Sequence, residues 1–153
     1  MGLLRAMDSS ASALTAGRLR LEVVGDNIAN LQTTRTPEGG PYRRRIVTVS
    51  PRGDSPFGSM IRRLGGGVGP TARAGTAGGV QVTGIAGDPR PFKSVYDPGH
   101  PDADEEGYVL LPNIDLAEEM VNLLTASRSY EANVTAFNAA KQMALRSLDI
   151  GRG

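Results

Sequence analysis

Asp115-LAEEMVNLLTASRSYEANVTAFNAAKQMALRSLD-Ile150 runs from end to end without a proline or a glycine, the two residues that interrupt helices. It opens with Asp115-Leu-Ala-Glu118, a D-x-x-E arrangement related to a capping box, and Gly151 follows as a stop. Leu116, Met120, Leu123, Ser127, Tyr130, Val134, Phe137, Lys141, Ala144 and Leu148 alternate at spacings of three and four, which is a heptad seam. The pattern predicts one helix of about 50 Å. Lys141 alone is out of character. Its stem can lie along an apolar seam with the ammonium in solvent, and Ala140 and Leu145 offer a slightly shifted stripe at the natural 3.6-residue period.

The other end of the chain repeats the pattern. Met7, Ser10, Leu14, Gly17, Leu21, Val24, Ile28 and Leu31 form a second seam, with Arg5, Asp8, Arg18, Arg20, Glu22 and Asp26 on the opposite side. This predicts an amphipathic helix of about 33 Å from Met7 to Ile28. Gly17 and Gly25 each cost a helix interior about 1 kcal/mol relative to alanine. The helix is therefore expected to be marginal alone and to gain stability from a partner. A small residue at Gly17 also admits a second backbone.

Between the helices the chain changes in kind. Of 153 residues, 20 are glycine and 10 proline, gathered mainly between about Thr36 and Pro112. Arg45 to Val49, Val80 to Ile85 and Phe92 to Tyr96 have the β-branched or aromatic content of short strands. The stretch 51–79 has little to bury and is expected to be a flexible loop. The expected fold is therefore α+β, in three segments. Residues 1–35 and 113–153 supply the helices of a coiled-coil-like domain, and 36–112 a small β-containing, Gly/Pro-rich middle.

Seventeen basic and sixteen acidic side chains leave a net charge of +1, so no overall field draws the chain to nucleic acid or an anionic membrane. Cysteine is absent, which excludes disulfides and thiolate metal sites. The N-terminus MGLLRAMDSS lacks the apolar core and small-residue site of a cleaved signal, so export is expected to use another route.

Three groups invite a chemical reading, and each has a plainer one. Arg43, Arg44 and Arg45, with Arg62 and Arg63, resemble a phosphate-binding patch, but with only Tyr42 adjacent they read better as a solvated or subunit-contacting basic face. Gly65–Gly69 lacks the Gly-Lys-Ser/Thr ending of a phosphate loop and reads as flexibility. His100 lies in Asp97-PGHPDADEE-Gly107 among five carboxylates, whose spacing does not match an EF-hand loop. The plainer reading is a surface turn begun by Asp97 and Pro98, with Gly99 and Gly107 at unusual backbone angles. The expectation is no catalytic set, no metal and no cofactor.

Four blocks carry a resemblance to a known family. Asn27-Ile28-Ala29-Asn30 resembles the signature of bacterial flagellar rod and hook axial proteins, and Thr33-TRTPEGGPYR-Arg44 is similar to the form carried by one member of the rod proteins. Asp88-PRPFKSVYDPGHPDADEEG-Tyr108 looks like that member's central block. Glu118 to Val121, then Ser129, Tyr130, Glu131, Ala132, Asn133 and Val134, complete a nearly full-length match to the flagellar basal-body rod protein family.

The resemblance implies a structural, non-enzymatic subunit of the proximal rod that polymerises helically around the export channel and transmits torque for motility. It implies export through the flagellar type III apparatus without a cleaved signal and assembly in the periplasm. The implied partners are copies of itself, other rod proteins, and the ring and export-gate components at the rod base, with no nucleic acid and no small-molecule substrate. The residues expected to pack are Met7, Leu14, Leu21, Val24 and Ile28 against Leu116, Met120, Leu123, Tyr130, Val134 and Phe137. The rival expectation is a soluble coiled-coil adaptor that binds a partner helix or nucleic acid through Arg43, Arg44 and Arg45.

Overall fold

A computed structural model describes residues 2–52 and 78–151. Most of the expected loop at 51–79 lies outside the described residues, as do Arg62, Arg63 and Gly65–Gly69.

The order of elements is α1 (Gly2–Ala29), β1 (Arg45–Pro51), β2 (Val80–Gly87), β3 (Lys93–Tyr96), β4 (Tyr108–Leu111) and α2 (Leu116–Ile150). Two long helices with small sheets make the fold α+β. The helix α1 starts five residues before the seam predicted, because Gly2–Ala6 contains no proline to stop it. It ends at Asn30, whose backbone N–H and side-chain amide both donate to the carbonyl of Asp26 in the last turn. Thr33 Oγ1 then bonds Asn30 Oδ1 and holds that cap in place.

The strands pair two by two, β1 with β2 and β3 with β4. Asp88 N–H donates to Arg44 O at one end of the first pair and Arg52 N–H to Gly79 O at the other, the order of an antiparallel ribbon. In the second pair Lys93 faces Leu111, Ser94 faces Leu110, Val95 faces Val109 and Tyr96 faces Tyr108, also antiparallel. The sequence reading missed β4. Four residues are too few to show a period, although Tyr-Val-Leu-Leu after Gly107 has the right composition.

The chain divides into two compact units. The Arg44 unit comprises Gly17–Thr48 and Thr83–Ser129; the Ser12 unit comprises Met1–Ala16, Val49–Val82 and Tyr130–Gly153. In the Arg44 unit Val23, Val24, Tyr42, Val109, Pro112, Ile114 and Ala126 are buried. Each such aliphatic side chain as valine or isoleucine stabilises the unit by about 1.5–3 kcal/mol. Among the described residues of the Ser12 unit the buried side chains are small: Ser12, Ala16 and Ala140. Among the described residues no helix is long and apolar enough to cross a membrane.

Candidate functional site

The most constrained part of the Arg44 unit is a polar clasp where the end of α1, the start of β1 and the start of α2 meet. Asn27 is 1% exposed, and all its hydrogen-bonding capacity is used. Its Oδ1 accepts from Arg45 N–H at 2.9 Å and from the Tyr42 hydroxyl at 3.2 Å. Its Nδ2 donates to Arg45 O at 2.9 Å and to Glu119 Oε2 at 3.1 Å. The side-chain amide thus pairs with both polar groups of Arg45, as a neighbouring strand would.

Asn113 ties the preceding residue to the 88–90 turn. Its Oδ1 accepts from Arg44 N–H at 3.1 Å while its Nδ2 donates to Arg90 O at 3.2 Å. The fixed turn before β1 delivers these groups: Tyr42 N–H donates to Thr33 O, and Thr36 N–H to Gly40 O across Gly39 and Gly40, both at positive φ. Asparagine suits both places because one planar amide carries donor and acceptor side by side.

Arg44 lies at the centre of the clasp. Its Nε and Nη2 both reach Glu119 Oε1, at 2.8 and 2.5 Å, Nη1 reaches Asp88 Oδ2 at 3.3 Å, and Nη2 also meets Glu118 at 2.8 Å. Asp88 accepts in addition from Arg90 Nη2 at 2.6 Å, Nε at 2.8 Å and the backbone N–H of Arg90 at 3.0 Å. Those bonds from Arg90, followed by Arg44, overcome burial and hold the Asp88 carboxyl well below the usual carboxylate range. Burial works against the Arg44 charge, but the bonds to Glu119, with Glu118 and Asp88 nearby, outweigh it and raise its pKa. Burial also raises the Tyr42 phenol. No buried side-chain polar atom among the described residues lacks a partner.

This corrects the reading of Arg43, Arg44 and Arg45 as one basic face. Arg44 is buried and spent on carboxylates, while Arg43 and Arg45 are exposed. Arg43 donates to the carbonyls of Asp88 and Arg90 and lies over the Phe92 ring, and Arg45 lies over the Tyr42 ring. The patch of the adaptor reading is reduced to Arg43 and Arg45.

The capping arrangement at Asp115 is half of what a reciprocal box needs. Asp115 Oδ1 accepts from Ala117 N–H at 2.9 Å and Glu118 N–H at 3.3 Å, and these bonds, that of Glu118 first, lower its pKa. Glu118 turns to Arg44 and Arg90 instead of back to the cap. In the turn near His100, Gly107 has positive φ as expected and Gly99 does not. Asp97 and Asp104 spend a carboxylate oxygen on backbone N–H groups of the same turn, and the backbone N–H of Asp102 donates to His100 Nδ1.

The residues singled out for packing fall as follows. In the Arg44 unit Val24 is buried, Leu21 and Ile28 are half-buried, and Leu116, Met120 and Leu123 are exposed at 45, 59 and 38%. Val121 and Leu124 beside them are also exposed. In the Ser12 unit Met7, Leu14, Tyr130, Val134 and Phe137 are half-buried. Along α2 the buried positions Glu119, Ala126 and Ala140, with half-buried Asn133, recur every seven residues, one residue before Met120, Ser127, Val134 and Lys141. Of the motif residues, Asn27 joins the clasp, Asn30 caps α1, Ile28 is half-buried, and Ala29, Glu131 and Ala132 are exposed.

Residues 7–35 match the family model described as flagella basal body rod protein, and residues 105–150 the one described as flagellar basal body rod FlgEFG protein C-terminal. Over its whole length the chain is 44% identical to the flagellar basal-body rod protein FlgC of Borreliella burgdorferi, covering all of that protein. It is 46% identical to FlgC of Bacillus subtilis and 38% to FlgC of Salmonella typhimurium, in each case over 99% of this chain and all of the relative.

Proposed function

The chain belongs to the flagellar basal-body rod protein family, and from that premise we propose how its geometry serves a structural, non-enzymatic subunit of the rod. In this reading it assembles with other rod proteins at the basal body, in the proximal part of the rod, around a central channel. It reaches the periplasm through the flagellar export apparatus with its N-terminus intact, and ring and export-gate components lie at its base. Residues 1–35 and 113–153 form its axial helical domain, and 36–112 the segment between.

The observation that carries this reading is the unpartnered apolar side of α2: Leu116, Met120, Val121, Leu123 and Leu124 stand exposed on the same unit as a fully satisfied polar clasp. Burying one leucine completely is worth about 1.5–3 kcal/mol, so several together offset the cost of ordering long helices in an assembly. Met7, Leu14, Leu21, Val24, Ile28, Tyr130, Val134 and Phe137 complete the packing set. Torque then passes through packed helices, and the clasp keeps the ends of α1 and α2 in register under load.

Replacing Leu123 with aspartate places a charge on that side without touching the clasp. The variant is expected to be exported in normal amount, to be missing from isolated basal bodies, and to leave cells non-motile. Motile cells with the variant chain in their rods would refute the assignment.

A further inference from the structure

Two surfaces of the Arg44 unit complement each other and neither is occupied within the described chain. The first is a groove of about 1080 Å³ between the 33–43 turn and β2. Its lining includes Ile85, Phe92, Tyr42, Arg43 and Arg45, with Glu38 as the one carboxylate among them. Neither arginine makes an ion pair among the described residues: Arg43 is held by two carbonyls and the Phe92 ring, and Arg45 rests over the Tyr42 ring. Two guanidinium charges over aromatic walls, in so large a groove, suit an acidic segment with aromatic side chains.

The second surface is the loop end of the β3–β4 hairpin. By the register, Tyr96 and Tyr108 are directly opposite and share a face with Leu110; these three are exposed at 64, 42 and 51%. The two tyrosine rings meet edge to face with centroids 5.3 Å apart. Glu105 and Glu106, immediately before Gly107 and Tyr108, are exposed and make no ion pair among the described residues. The loop is already ordered. Asp97 N–H bonds Gly107 O, Asp104 N–H bonds Tyr108 O, and Asp102 is tied to Thr34 Oγ1 at 2.8 Å and Arg35 at 3.3 Å. Gly107 has φ +84, and a Cβ there would lie 2.9 Å from the Tyr96 ring, so both the backbone angle and the close ring call for glycine. A surface fixed in advance loses little freedom on docking.

We propose that the Tyr96–Tyr108 end of the hairpin of one copy, with Glu105 and Glu106, docks into the Arg43–Arg45 groove of a second copy. The charges are opposite, both surfaces combine aromatic and aliphatic groups, and the +1 chain holds this separation of charge within one unit. Because the two surfaces differ, the contact is head-to-tail, the kind that propagates into rings or helical arrays. The proposal rests on the reading of the chain as an assembling rod subunit, and assigns that assembly one specific contact.

The chain contains no cysteine, so paired thiols report the contact cleanly. Full-length Glu106→Cys and Ile85→Cys chains, expressed together and oxidised in isolated basal bodies, are expected to give a mixed disulfide dimer. Arg45→Glu in the Ile85→Cys chain is expected to lower its yield about tenfold by placing like charges together. Glu105→Lys in the Glu106→Cys chain is expected to restore it. Glu105→Cys with Glu38→Cys provides a second pair at exposed positions, and circular dichroism checks that each chain keeps its helices. A yield no higher than that of a control pair on the exposed side of α1, insensitivity to Arg45→Glu, or a disulfide to a different rod protein would overturn the proposal. Chains present in basal bodies without the mixed dimer refute the docking and leave the rod assignment standing; absence of the wild-type chain from basal bodies removes the rod assignment itself.

Discussion

The two units fasten α1 to the β ribbon in opposite ways. In the Arg44 unit the fastening is charged and reaches far along the sequence: Asn27, Arg44, Asp88, Asn113 and Glu119 meet in a buried network. In the Ser12 unit it is small and close. Ser12 Oγ accepts from Val80 N–H at 3.0 Å and donates to Ser9 O at 2.8 Å, and Gly79 sits so near that a Cβ there would lie 2.2 Å from Ser12 Oγ. A buried ion network specifies one arrangement because every other one strands a charge; a close approach between serine and glycine specifies by leaving no room. The first fails by lost partners and the second by added atoms.

The largest expected effect breaks the charged side. Arg44→Ala leaves Glu119 and Asp88 buried without their shared cation, and loss of one partner from such a pair costs about 3–5 kcal/mol. Chemical denaturation of the purified chain measures it, and hydrogen exchange locates it. Protection is expected to fall at the Arg45 and Asp88 amides while the Val80 amide keeps its own.

Gly79→Ala tests the other side. Gly79 has φ +104, a conformation costing a residue with Cβ about 1–3 kcal/mol, before the clash with Ser12 is added. Here the Val80 amide is expected to lose protection and the Arg45 amide to keep it. If both variants loosened both amides equally, the two fastenings would be one.

Acid supplies the smallest and most discriminating effect. Asp88 is depressed in the folded protein, so its contribution is fully present above the unfolded carboxyl value of about 3.9 and lost as pH falls below it toward the folded value. The difference in stability between the wild type and Asp88→Asn is therefore expected to be constant from pH 7 to about 5 and to shrink below about 4. The Ser12–Val80 contact involves no titrating group and is expected to lack that step.

How much of this is visible in the sequence depends on how local the cause is. The span of α2 could be read because its cap, its uninterrupted run and its stop all lie in one segment. The ends of α1 were less clear, since nothing local marks its start and Asn30 caps it through a backbone oxygen four residues earlier. Three strands were foreseen, and β4 was too short. The clasp was harder. Glu119 and Asn27 are 92 residues apart, and Arg44 is buried only because Asp88, Glu118 and Glu119 converge on it. One signal was available: Asn27 stands four residues after Val23 and three after Val24, a polar side chain on the buried stripe. The resemblance marked Asn27 and Asn30 together, and the structure separates their work into a strand contact and a helix cap.

The pairing of Asn27 with Arg45 reaches beyond the fold of a single chain. In an antiparallel ribbon, alternate residues turn their N–H and C=O outward, where a free edge invites another strand. Arg44 O turns inward to Asp88, and the outward groups of Arg45 are both held by the Asn27 amide. The first rung of the sheet is thus closed by the chain itself, and growth by strand addition has no starting point there.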